Sequence, residues 1–215
     1  MRKRIIALIF AVCLLSTTPV CAANTWTENQ VKANQIATMA RTMGLLENNP
    51  IIVEAQRIWW EEEQIKQEQV RKEQELNAFL EEHEMDIRDM AGVMHKEARG
   101  LDARECSMVG WCILNRYDSL IFGSTIHDVM WARAQFAHSN RTVTDRGLDL
   151  VWLATDVMIR WYKEKYWGET DVGRTLPSGY LYYYGNGKHN LFRTKNSGAG
   201  SYNFGLPNPY EEMYI

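Results

Sequence analysis

Apolar residues change their spacing several times along this chain, and each change marks a boundary. Ile5 to Ser16 is an almost unbroken apolar run. From Thr27 to Met43 the apolar positions recur at helical spacing, and Thr27 with Gln30 has the form of a capping pair. Asn48-Asn49-Pro50 interrupts that pattern, and a second helix is predicted from about Ile51 to Glu82. It begins with Ile51, Ile52, Ile58, Trp59 and Trp60, but from Glu61 to Glu75 its apolar residues are Ile65 and Val70 alone. Glu62–Lys66 and Glu68–Lys72 stand in the helix-supporting order. Such a stretch has too little apolar surface for a core. It reads as a solvated helical spacer, with a weak coiled coil as the alternative, and residues 51–82 are open to a protein partner or to self-association.

From Asp86 the texture changes. Trp111, Trp131, Trp152, Trp161, Trp167 and most of the tyrosines lie beyond this point. Asp86 to Arg99 predicts a helix stopped by Gly100. At 100° per residue, Ile87, Met90, Ala91, Met94 and Ala98 share one arc. Asp102 and Glu105 resemble a capping box that opens the next helix, which runs to about Tyr117 with apolar residues all round it. That helix is expected to be central and buried. Ile121 to Asn140 reads as a loop-rich segment, and about Thr144 to Trp167 as a long helix. Gly179 to Tyr184 is strand-prone, Gly185-Asn186-Gly187 has the chemistry of a tight turn, and Lys188 to Arg193 is the returning strand.

Charge and cysteine usage sharpen the division. Residues 24–85 hold six Lys+Arg against twelve Asp+Glu, whereas residues 86–215 hold fifteen of each. With no strongly basic face, nucleic acid is disfavoured as a partner. Met1-Arg2-Lys3-Arg4, the apolar run and the small residues Ala22-Ala23 together form a signal-peptide pattern. The run falls short of the roughly 20 residues that a bilayer span needs. Residues 1–23 are therefore expected to be cleaved, leaving no stable membrane span and a secreted chain. Cys13 and Cys21 leave with that leader. Cys106 and Cys112, six residues apart on one helix, are separated by roughly 9 Å of rise. A disulfide closes over less than about 7 Å, so they are expected to stay free.

Among the candidate groups, Glu97 falls between Val93 and Met90 at the edge of the apolar arc, while Lys96 points the other way. Burial disfavours the charged form of a carboxyl, which is what a general acid uses. A structural ion pair with Arg99 or Arg116 is the competing reading. The hairpin tyrosines Tyr182, Tyr183 and Tyr184 suit a sugar-binding wall and equally suit an aromatic mini-core. His95, His127, His138 and His189 lack any close-set ligand pair such as H-E-x-x-H, so no metal and no cofactor is expected.

Four blocks together carry a resemblance to the SleB/CwlJ-like family of cell-wall hydrolases, the spore cortex-lytic type. Met90 to Gly100 looks like that family's opening helix end, and Val109 to Arg116 like its apolar helix finishing in Asn-Arg. Ile126 to Val129 followed by Gln135-Phe136 is similar to its middle loop. Gly179 to Tyr184 with His189 and Phe192 looks like its closing aromatic hairpin. The likeness spans roughly residues 86–195. Two departures stand out: Lys96 replaces the family's usual alanine, and the loop from Ala137 to Asp145 is short.

The resemblance implies a lysozyme-like, mostly helical domain with a small β-hairpin. Together with the charged helical region read from the sequence at 24–85, which lies outside the likeness, it gives an expected mainly α fold with the catalytic domain at 86–215. It also implies that Glu97 is the catalytic acid and that peptidoglycan glycan strands are the substrate. Gln135, Phe136, Tyr182, Tyr183, Tyr184 and His189 would then line the glycan groove. Ordinary glycosidases pair two carboxylates, about 5–5.5 Å apart when retaining and about 6.5–9.5 Å when inverting. Only the loop residues Asp118, Asp128 and Asp145 present themselves as a second, so the resemblance favours a lytic transglycosylase, which works with one. A conventional muramidase and a non-catalytic wall-binding scaffold are the alternatives.

Overall fold

A computed structural model describes residues 26–98, 100–138 and 148–211. The predicted leader, Arg99, Asp145 and the predicted helical start at Thr144 lie outside the described residues. The described chain is mainly helical with one small antiparallel hairpin, as expected. No described helix is long and apolar enough to cross a membrane. The chain divides into two compact units between Glu75 and Leu76.

The first unit holds α1 (Glu28–Thr42) and most of α2 (Pro50–Glu82). Thr27 opens α1 with the predicted capping box: its hydroxyl accepts from the Gln30 N–H at 3.1 Å, and the Gln30 amide oxygen accepts from the Thr27 N–H at 2.9 Å. The two helices meet through Ala33, Ala37 and Ala55, with Ile36, Ile58 and Trp59 at the edge of that contact. Small residues allow the backbones to approach, so less apolar surface is needed than a leucine core requires. The fully buried Gln30 donates to Glu63 at 3.0 Å, and Asn29 donates to Glu62 at 2.7 Å. The start of the predicted spacer is thus half of a helical hairpin. Beyond it, Arg71 bridges Glu68 and Glu75 on an exposed face.

The second unit begins before Asp86, at Leu76, because the last turns of α2 supply apolar anchors. Phe79 packs against Tyr162 and Trp161, with ring centroids 4.6 and 6.0 Å apart. His83 separates α2 from α3 (Glu84–Glu97). Then come α4 (Ala103–Ser119), α5 (Ile126–Trp131), α6 (Leu150–Trp167), β1 (Tyr182–Gly185) and β2 (Asn190–Arg193). As its pattern predicts, α4 is the central helix: Cys106 and Met108 through Leu114, leaving aside Gly110, are apolar and fully buried. Cys106 and Cys112 are both buried and unbridged.

Three local expectations are corrected. The segment read as loop contains α5, opened by a capping box in which Thr125 and Asp128 exchange hydrogen bonds. Helix α6 opens at Leu150 behind Asp149, which caps it by accepting from Val151 and Trp152 N–H at 2.9 and 3.1 Å. The hairpin turn is longer than Gly185-Asn186-Gly187. Gly185 pairs with Asn190, and Asn186 Oδ1 gathers the N–H groups of Lys188 and His189, which puts His189 in the turn rather than the strand.

Candidate functional site

Glu97 is the last residue of α3, and its side chain is half-buried. Two distant segments fix it. Its Oε1 accepts the backbone N–H of Ala137 at 2.5 Å, and its backbone carbonyl accepts from the Asn190 side-chain amide at 2.9 Å. Carbonyls at a helix C-terminus lack intrahelical partners, so Asn190 acts as a cap delivered from β2.

The buried Arg116, near the end of α4, does not take up the ion pair weighed against a catalytic role. Its Nε donates to the Leu181 carbonyl at 2.6 Å and its Nη1 to Gln135 Oε1 at 3.1 Å. The guanidinium lies over the rings of Phe136 and Phe122, at 4.4 and 4.9 Å from their centroids. Beside it, Asn115 donates to the carbonyls of Pro177 and Tyr180 at 3.0 and 3.2 Å. The Asn-Arg end of α4 therefore pins both the Gln135-Phe136 segment and the chain entering β1.

Of the three hairpin tyrosines, Tyr183 turns toward Glu97. Its ring lies 5.3 Å from Phe192 and 6.2 Å from Phe136. Its hydroxyl is buried beside the Glu97 carboxylate, close enough for a weak interaction but short of full hydrogen-bond geometry. Burial first, and that nearby carboxylate second, hold the phenol protonated far above the usual tyrosine range. Strand alternation sends Tyr182 and Tyr184 to the opposite face. Tyr182 meets the edge of Phe122 at 5.6 Å, and Tyr184 stands exposed under the Arg193 guanidinium. Glu97, Gln135, Phe136 and Tyr183 thus form one cluster, and Tyr184 stands apart from it.

His189 has a different engagement. Its Nδ1 lies 2.5 Å from Glu105 Oε1, and its ring stacks on Tyr202 at 3.8 Å. Glu105 also accepts the Asn190 N–H at 3.4 Å. The predicted capping box at Asp102 is consequently only half made. Asp102 accepts from the Glu105 N–H at 2.8 Å, but the Glu105 side chain turns inward to the hairpin instead of back to the cap.

The other carboxylates weighed as a second catalytic group have their own tasks. Asp118 accepts from Trp161 Nε1 at 2.8 Å and pairs with Lys165. Asp128 closes the α5 cap, where the hydroxyls of Thr125 and Ser124 hold its carboxyl below the usual range. The histidines are dispersed as well: His127 sits by Asp89, His138 stacks on Trp131, and His95 is buried with both ring nitrogens unpaired. Among the described residues no three His, Cys, Asp or Glu side chains converge as a metal-ligand set. No family model, curated protein or solved structure matches the chain.

Proposed function

We propose that this chain is a secreted enzyme that cuts peptidoglycan glycan strands between N-acetylmuramic acid and N-acetylglucosamine, as a lytic transglycosylase, without metal or cofactor. The observation that carries the reading is the convergence on Glu97 of segments far apart in sequence. Ala137 N–H orients the carboxyl, Asn190 holds its backbone, and Tyr183 and Phe136 supply an aromatic wall. Glu97, Phe136 and Tyr183 belong to the blocks that resemble the cell-wall hydrolases, and Ala137 and Asn190 adjoin them.

In the first step the Glu97 carboxyl gives its proton to the bridging oxygen as the muramic C1–O bond breaks. In the second, the Glu97 carboxylate takes the proton of the muramic 6-hydroxyl while that oxygen bonds to C1. The products are a free N-acetylglucosamine hydroxyl and a 1,6-anhydro end, and Glu97 returns to its starting state. One carboxyl suffices for both transfers. Glu105, joined to the site through Asn190, is engaged by His189 and the Asn190 N–H.

The test is mass analysis of fragments released from purified sacculi by the parent chain and by Glu97→Gln. We expect anhydro-ended muropeptides from the parent and none from a normally folded variant. Fragments heavier by one water indicate a muramidase, and wall binding without release indicates a scaffold. Full activity in a folded Glu97→Gln protein defeats the assignment.

A further inference from the structure

Trp131 closes α5 with half of its surface in water, 51% exposed. A side chain this large normally gains by burial, on the order of 2–3 kcal/mol for a big apolar group. Here the fold instead holds it still in the open. Its Nε1 donates to Asp89 Oδ2 at 2.8 Å, which fixes the rotation of the indole. One face is backed by His138, nearly parallel at 10° with the centroids 4.0 Å apart. His138 is itself tied to the Met130 carbonyl at 3.1 Å. His127 flanks the ring at 5.8 Å and lies 3.6 Å from the same Asp89 oxygen.

Such an arrangement is a rigid aromatic plate with a polar rim. The C–H face of a pyranose presents apolar area, and its hydroxyls present donors and acceptors at the edge. An immobilised indole meets that face at little entropic cost, while the Asp89 carboxylate and the His127 imidazole offer partners for the hydroxyls. Chain continuity links the plate to the candidate site. Trp131 and Ala137 bracket a short segment that turns back at Ala134, whose φ is 61°, and Ala137 ends it on Glu97 Oε1. Gln135 and Phe136, on the same segment, are held by Arg116.

We infer that Trp131 is a sugar-stacking subsite, taking one pyranose ring of the glycan strand at the level of Asp89, about two helical turns along α3 from Glu97. This rests on the glycan-cleaving function proposed above, and a protein partner on the same plate is the competing occupant.

The experiment measures calorimetric binding of peptide-free oligosaccharides of alternating N-acetylglucosamine and N-acetylmuramic acid. The full chain carries Glu97→Gln so that the ligand is not consumed. Adding Trp131→Ala is expected to weaken binding by about tenfold, the equivalent of about 1.4 kcal/mol. Trp131→Tyr, which restores a ring, is expected to recover most of it, and circular dichroism checks that each variant is folded. In the catalytically intact chain, Trp131→Ala should raise KM and leave kcat nearly unchanged. Unchanged affinity in a folded Trp131→Ala protein overturns the subsite while leaving the Glu97 assignment standing, and points to the protein-partner reading. Failure of the Glu97→Gln chain to bind these oligosaccharides at all, combined with no fragment release by the parent, overturns both.

Discussion

The side-chain amide of Asn190 donates to the backbone carbonyl of Glu97 at 2.9 Å, and the Asn190 backbone N–H donates to Glu105 Oε2 at 3.4 Å. A single strand residue therefore ties the end of α3 to α4 and sets the height at which the Glu97 carboxyl emerges. Ala137 N–H then fixes the carboxyl from the other side. A proton donor held at both backbone and side chain loses little entropy when it acts.

Asn190→Ala removes that tie and leaves the Glu97 carbonyl unpaired. A hydrogen bond of this kind is worth roughly 0.5–1.5 kcal/mol net, so a modest drop in melting temperature is expected. The larger effect should fall on kcat, by about tenfold, with KM nearly unchanged, because misplacement of the acid is felt in the transition state. Steady-state release of muropeptides measures both constants. An equal rise in KM with an unchanged kcat contradicts this role.

Tyr183→Phe separates stability from activity. The Tyr183 hydroxyl is buried and its approach to Glu97 falls short of full hydrogen-bond geometry, so its desolvation is poorly repaid in the free protein. Deleting it should leave the melting temperature unchanged or raise it. If the hydroxyl contacts the glycan beside Glu97, fragment release falls at the same time. Paired thermal melts and activity assays read the two effects; a destabilised Tyr183→Phe protein shows that the hydroxyl has a structural partner after all.

What the sequence made legible follows from periodicity and capping. The Thr27–Gln30 box, the buried all-round pattern of α4 and the position of Glu97 at the edge of an apolar arc are written in residue types at fixed spacings. Helix α5 was not legible, since six residues complete fewer than two turns and show no period. The Thr125–Asp128 cap was the signal available. Glu105 was misread because a glutamate three residues after an aspartate looks the same whether it folds back on the cap or reaches across to His189. The Ala137 N–H that orients Glu97 was invisible for a deeper reason: a backbone amide has no identity in a sequence, and its partner lies 40 positions away. The alanine contact between α1 and α2 is not legible because small residues add little to an apolar pattern.

Gly110 sits where α4 meets both α3 and α6. A Cβ there would lie 2.4 Å from Met94 Cε and 3.3 Å from Met90 Sδ and Val157 Cγ1. Gly110→Ala gains about 1 kcal/mol of helix propensity. Overpacking a filled core costs roughly 1–3 kcal/mol, so a net loss of about 1 kcal/mol is expected. In a Met94→Ala background the clash with Met94 disappears, and the same substitution should turn neutral or stabilising. Urea unfolding of the four proteins in this double-mutant cycle measures the coupling; strictly additive effects rule out Met94 as the obstacle.

Cys112 gives the fold a defined alkaline weakness. Complete burial pushes its thiol up from 9.0 to about 11, with Arg116 working against the rise. A group that holds its proton more tightly when folded stabilises the fold below its unfolded value, and this contribution is lost as pH rises through the folded one. The window is thus pH 9 to 11, and the full contribution is about 2–3 kcal/mol. Comparison with Cys112→Ala isolates it when both proteins also carry Tyr183→Phe, because the Cys112 thiolate is one of the charges that raise the Tyr183 phenol, whereas Tyr210 titrates without it. The stability gap between parent and variant, measured in urea, should narrow steadily across that window. Below it the native thiol should also resist alkylation, since the nucleophile is the thiolate. A gap that stays constant to pH 11, or rapid labelling of the folded protein at pH 8, is incompatible with a thiol buried in this way.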